Sequence, residues 1–326
     1  GKKDQRLYDS YNVKWFSESL LTSYKKPFQS KISIRKKQFT NKQAKEIILL
    51  NCIDYLYGHV LLKLFNSTHY LDNEPDKKLI ITIPKNFEWL LPKGTDEVWI
   101  VDLPLNALQN WLYHFNKFVQ SELDKYEKVF FSLAFSHPLL KKEEISRFTG
   151  VKPFDINLFS SKPLKITFIS RNDRFWFSKK WLARGYTMLQ NTIIGKWLRP
   201  YFSFFQNRRI IRCCKSIRKR FPNISLAITG VERARNVPSW INDYRTVDIN
   251  PGVEKKWCQL YSESQIVIGV HGSNMLLPTA HAASFIEILP LERFGNIGQD
   301  VIPNKDPRLV MFLNRFVDES ISPKGL

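Results

Sequence analysis

The stretch QIVIGVHGSNMLLP, Gln265 to Pro278, places one imidazole in a glycine-lined bend. Ahead of it, Ile266, Val267, Ile268 and Val270 form a short β-branched run of the kind found in strands covered on both faces. Behind it, Ser273 or Asn274 can cap a helix running through Met275, Leu276 and Leu277 into Ala280 to Ala283. The apolar run SFIEILP, Ser284 to Pro290, then reads as the next strand. In such a unit the turn lies at the carboxyl end of the strand, where α/β proteins bind ligands and a helix start offers N–H groups to an anion. Gly269 and Gly272 let a ligand approach the backbone closely. A sharp βα turn that needs glycine only for sterics has the same appearance, so other residues must decide.

Composition narrows the choice. With 326 residues, 43% hydrophobic and 25% charged, the chain can bury a large core and is expected to form two domains. No apolar stretch reaches about 18 residues, and the first fifteen residues lack the apolar centre of a secretory signal. Cys52, Cys213, Cys214 and Cys258 show no metal-ligand spacing, which favours a reduced, cytoplasmic setting. The net charge of +20 is unevenly spread: Arg171 to Arg220 holds fourteen basic residues and one acid, Asp173. Within it, KWLRPYFSFFQNRRIIRCCKSIRKRF, Lys196 to Phe221, interleaves cations with aromatics. Nucleic acid, an anionic membrane surface or an acidic ligand would suit that pattern. So would an amphipathic helix that buries Phe204, Phe205, Ile210, Ile211, Cys214 and Ile217 and solvates its arginines.

Strand and helix patterns alternate in both halves. In the first, Asn41 to Asn66 has helical content, KLIITIP (78–84), EVWIVDLP (97–104) and KVFFSLAF (128–135) read as strands, and Leu105 to Leu123 is helical. In the second, PLKITFISR, SLAITG (225–230), RTVDI (245–249), QIVIGVHG and SFIEILP are strands. Two βα halves imply an α/β protein with two Rossmann-like domains facing a cleft. The loop-like KPFDINLFSSKP sets domains at 1–160 and 161–305, with a last helix near Asp306 to Ser320 that crosses back to the first domain.

VIGVHGSNMLLPTAHAASFIEILP resembles the signature of glycosyltransferase family 61 and its bacterial relatives, in which a strand ends in G-x-H-G, a helix follows, and a further strand carries Glu and Pro. YGHVLLKLF (57–65) and ISRNDRFW (169–176) resemble that family's other two segments, in the same order. The resemblance implies a GT-B fold with a nucleotide-sugar donor on the second domain, an acceptor on the first, and inversion at the anomeric carbon. The donor diphosphate would meet Gly272, Ser273 and Asn274 together with Arg171 and, second, Arg174, because a guanidinium grips two phosphate oxygens at once. His271 would donate a hydrogen bond near the phosphates or sugar. Glu287, a carboxylate inside an apolar strand, needs a partner: donor ribose hydroxyls, or an arginine. Thr229 and Gly230 would shape the nucleobase pocket.

The base is expected at His59, since imidazole titrates near neutrality, with Asp54 and Asp102 as alternatives. Many relatives carry an acid four residues after this histidine, where this chain has Lys63. The phosphate loop is also shorter than the family's. No Asp-x-Asp occurs, which fits transfer without a metal or other cofactor, the arginines supplying the positive charge. The expected protein is a cytoplasmic glycosyltransferase, peripheral at the inner membrane face, using a UDP-linked donor and a glycan or lipid-linked glycan acceptor of a cell-surface polysaccharide. The rivals are a basic nucleic-acid-binding protein, for which no binding module is visible, and a non-catalytic carbohydrate-binding relative.

Overall fold

The computed structural model describes residues 14–25, 32–132, 142–290 except 178, 191, 234 and 235, 293–294, and 313–326. The chain is a mixed α/β protein that divides into two compact units, Gly1–Pro138 and Leu139–Leu326. The first contains α1 (Lys14–Lys25), β1 (Ile34–Gln38), β2 (Glu46–Asn51), α2 (Tyr57–Phe65), α3 (Ser67–Asn73), β3 (Lys78–Pro84), β4 (Glu97–Val101), α4 (Tyr113–Leu123) and β5 (Lys128–Phe131). Its sheet runs β1-β4-β3-β2-β5, parallel except for β1. β3 and β4 are buried along their whole length, which is why they read as unbroken apolar runs. Asn41 to Asn66 is not one helical stretch: Ile47 to Leu50 form buried strand β2 between β3 and β5, and the helix begins only at Tyr57. Four consecutive apolar residues suit either period, and pairing on both edges decides for the strand.

The second unit contains α5 (Ser146–Thr149), β6 (Lys165–Ile169), α6 (Lys180–Leu189), α7 (Ile193–Arg220), β7 (Ser225–Thr229), β8 (Ile241–Asp243), α8 (Pro251–Ser262), β9 (Ile266–Val270), α9 (Leu276–His281), β10 (Ser284–Leu289) and β11 (Arg315–Asp318). All six strands are parallel, ordered β11-β10-β9-β6-β7-β8. The chain thus moves outward from β6 to β8, then restarts at β9 on the other side, the order of a doubly wound sheet. Phe168, Ile228, Ile268 and Ile288 pack one face against Ile210, Cys213 and Cys214 of α7. Ile169, Val267 and Phe285 pack the other against Tyr261 of α8 and Met275.

Three expectations fail here. Arg245 to Ile249 is not a strand; β8 lies earlier, and Thr246 makes only an isolated bridge to Val231. Arg245 leaves the sheet because its guanidinium is buried against Asp243, Asn207 and Glu232. Of the C-terminal helix, 306–312 lie outside the described residues, but Arg315–Asp318 is a strand parallel to β10, so this segment extends the second sheet. On α7, Ile210 and Cys214 are buried and Ile211 and Ile217 pack at the core's margin, whereas Phe204 and Phe205 are exposed. The division also precedes the expected boundary near 160, because Phe154 donates to the His281 carbonyl at 2.7 Å and the Thr149 hydroxyl meets His281 Nε2 at 2.9 Å. All four cysteines are buried free thiols, and burial pushes Cys213 up to about 12.

At the end of β7, Gly230 has φ +122°, and a Cβ there would meet the Ser170 carbonyl oxygen at 1.8 Å. Gly230→Ala is expected to destabilise the protein by about 2 kcal/mol or more, read as a lower urea midpoint with an unchanged m-value.

Candidate functional site

The strand order reverses between β6 and β9, so a crevice is expected at their carboxyl ends, which lead into Arg171 and into His271–Gly272. The loop after β6 is clamped from below. Gln206 of α7, itself buried, donates to the Arg171 carbonyl at 2.8 Å and to Ser170 Oγ at 3.2 Å, and accepts from the Trp176 N–H at 2.9 Å. Ser170 Oγ in turn donates to Glu232 at 2.6 Å.

On this base two guanidiniums converge. Arg174 Nη1 donates to the His271 carbonyl at 3.1 Å, and Arg171 Nη1 donates to Asn274 Oδ1. Gly272 lies between them at φ +150°, ψ −179°, a region open essentially to glycine alone. A Cβ on it would come within 2.6 Å of Nη1 of both arginines. The backbone conformation favours glycine here, and its bare Cα leaves both guanidiniums room beside it. Gly269, by contrast, faces Met275 and serves packing. Asn274 Nδ2 is buried and has no hydrogen-bond partner among the described residues, which leaves a donor beside the arginines. Ser273 is exposed on the same turn, closed by the Met275 N–H to the Gly272 carbonyl at 2.8 Å.

Sequence reasoning missed Asp173. It accepts a fork from Arg171, Nε and Nη2 each at 2.5 Å. Partial burial would raise its carboxyl, but the Arg171 bonds outweigh that and hold it below the ordinary value. Its spacing of two from Arg171 was the available signal.

His271 and Glu287 are brought together. Both are fully buried, and the Glu287 carboxylate meets His271 Nδ1. The pair stiffens the carboxyl end of β9, whose carbonyl at His271 receives Arg174. Glu287 thus faces an imidazole and not solvent. Thr229 is likewise buried, its hydroxyl 2.9 Å from that of Tyr261, and Gly230 packs on Ser170, so neither lines an open base pocket.

In the first unit, Asp54 follows β2 and gathers two partners: His59 Nδ1 at 3.2 Å and Lys63 Nζ at 2.8 Å, with the Leu56 N–H on its other oxygen at 3.0 Å. Lys63 therefore neutralises the Asp54 carboxylate. Burial would raise Asp54, but His59, Lys63 and the Leu56 N–H together hold it down at about 2. Asp102 stands apart from this cluster on the surface, paired with Lys85 at 2.6 Å. The first sheet also reverses order, between β2 and β5, and there a cavity of about 300 Å³ is lined by Asn51, Thr82, Asn110, Trp111 and Asn116. These amides carry no sequence signature beyond Asn51 ending an apolar run. Among the described residues no three His, Cys, Asp or Glu side chains gather to hold a metal.

No protein-family model, no curated protein and no solved structure matches this chain.

Because the Asp54 carboxyl is held near 2 against an ordinary 3.8, its stabilisation is full above about pH 4 and is lost as pH falls towards 2. Asp54→Asn should cost about 2 kcal/mol at pH 7, and the gap from the wild type should close in urea melts near pH 2.

Proposed function

We propose that the protein is an inverting glycosyltransferase that moves a sugar from a nucleotide diphosphate donor, UDP-linked, to a glycan acceptor in cell-surface polysaccharide assembly. The observation that carries this reading is the convergence of Arg171 and Arg174 on Gly272 at the switch point of a doubly wound sheet. Two cations held against a bare backbone suit a dianion, and a guanidinium can bind two phosphate oxygens at once. The finer fold assignment, GT-B with two Rossmann-like domains, belongs to the same proposal; two largely parallel α/β units are the parts it requires.

The chemistry follows from the groups available. As the acceptor oxygen attacks the anomeric carbon its proton passes to a general base, a role we assign to His59, whose Nδ1 faces Asp54. The bond from that carbon to the diphosphate oxygen breaks, and the electron pair leaves with the diphosphate. Single displacement inverts the centre. Arg171, Arg174 and the Asn274 amide take up the charge that develops on the leaving group, so the reading needs no metal ion for that role. His271 and Glu287 act as positioning residues for the turn.

Asp173 occupies the Arg171 fork, so a diphosphate must displace it. In a thermal-shift titration, UDP is expected to stabilise the protein over GDP and CMP, with or without EDTA. Arg171→Ala should weaken binding about 10-fold or more, and Asp173→Asn should tighten it several-fold. Absence of any nucleotide shift, together with tight binding of a random oligonucleotide, would defeat this reading in favour of a nucleic-acid-binding protein.

His59→Ala should leave nucleotide binding unchanged while lowering transfer by about 10²–10⁴-fold in an assay of donor turnover with glycan acceptors. Loss of nucleotide binding in that variant would reject the division of roles.

A further inference from the structure

The α6–α7 hairpin carries side chains that the donor reading does not use. Trp181 is 68% exposed, Met188 81%, Ile193 76% and Trp197 82%, and Ile194 and Tyr201 are also open to solvent. Along α7, Ile193, Trp197, Tyr201 and Phe204 recur at intervals of four, four and three, which puts them on one stripe. The hairpin is braced from within by an aromatic cluster of Phe175, Phe177, Tyr186 and Phe202, so this apolar face is held rigidly outward. Exposed apolar side chains in such number mark a contact surface.

The surroundings identify the partner. No acid occurs between Arg174 and Arg220. At the foot of the stripe, a cavity of about 480 Å³ is walled by Trp176, Tyr201, Phe205 and three arginines, Arg208, Arg209 and Arg212. Arg209 lies 5.0 Å over the Trp176 ring and donates to the Trp176 carbonyl at 2.9 Å, and Arg208 lies 5.6 Å over Phe204. Among the described residues none of the three pairs with a carboxylate, whereas Lys180 on α6 does, with Asp318 at 3.0 Å. Burial and the neighbouring Arg212 hold Arg209 below its ordinary pKa, so an added anion would relieve it.

Aliphatic side chains such as Met188, Ile193 and Ile194 stack poorly on bases, and a second copy would bring cation against cation. Tryptophan and tyrosine at the boundary, aliphatics beyond it and arginines behind it fit a bilayer surface. No helix among the described residues is long and apolar enough to cross a membrane, so the contact is with one leaflet.

We propose that the α6–α7 hairpin docks on an anionic phospholipid bilayer, seating Met188, Ile193 and Ile194 among the upper acyl chains and Trp197 at their boundary while Arg208, Arg209 and Arg212 bind lipid phosphates. This inference does not depend on the donor assignment. The test is co-sedimentation of the full chain with phosphatidylcholine vesicles and with vesicles in which a third of the lipid is phosphatidylglycerol. Binding is expected only to the second kind, weakening as salt rises. It should fall about 10-fold or more in Ile193→Ser/Trp197→Ser and in Arg208→Gln/Arg212→Gln, and stay unchanged in a Phe39→Ser control, another exposed aromatic. Circular dichroism checks that the variants fold, and brominated acyl chains should quench the wild-type fluorescence more than that of the Trp197 variant. Failure to sediment with anionic vesicles overturns the proposal. So does undiminished binding by Ile193→Ser/Trp197→Ser, or a random oligonucleotide that displaces the protein from vesicles. A dimer that this variant splits, with vesicle binding intact, assigns the face to self-association and also overturns it.

Discussion

Two guanidiniums held near one glycine repel each other. Arg171 is largely buried, so water screens that repulsion weakly. Much of the second unit serves to sustain it. Arg171 is neutralised by Asp173 and leans on Asn274, while Arg174 is drawn to a carbonyl at the end of β9. Those acceptors are themselves fixed. Gln206 holds the Arg171 backbone, Ser170 and Glu232 hold the end of β6, and the His271–Glu287 pair holds the end of β9. Removing the charges would make most of this buried polar apparatus unnecessary, and buried polar groups without a task are costly.

The same constraint explains α7. Its inner face must carry hydrocarbon for the sheet at Ile210, Cys213 and Cys214, yet also the amides of Gln206 and Asn207, which reach the loop after β6 and the buried Arg245. Both demands are met within the middle turns, so the helix cannot also bury Phe204 and Phe205. Those rings, with the apolar residues before them, turn outward and join the basic face. One helix thereby links the floor of the cation site to the surface patch.

β3, β4, β9 and β10 were legible because both faces are apolar, whereas β2, equally central, was read as helical because four consecutive apolar residues suit either period. The bend at Gly269 to Asn274 was legible because glycine and polar residues interrupt such a run. Arg171, Arg174 and Gly272 were chosen by type, and the fold brings them together. What failed did so where one residue type has two possible partners. A carboxylate in an apolar strand demands a partner, but the sequence cannot say whether Glu287 meets a ribose or an imidazole sixteen residues earlier, and the sheet register puts it beside β9. The short β8 and the final β11 are edge strands; only one side pairs, so their apolar signal is weak. Lys63 has no visible partner in the sequence until the turn after β2 brings Asp54 to it.

Asp173 bears on how the cation site is held without a ligand. A carboxylate two residues from Arg171 closes a local fork and needs no distant element to find it, so the loop neutralises itself. Its side chain is half exposed, however, where screening weakens its hold. A diphosphate carries more charge and more acceptor oxygens and can engage Arg171, Arg174 and the Asn274 amide together. Exchange then replaces one partly solvated pair by a desolvated set, and the Coulomb term grows as water leaves. An isolated carboxylate ligand lacks that advantage over Asp173. In the proposed reading, discrimination between the two anion types rests on the second arginine, which lies with the first beside the bare backbone of Gly272.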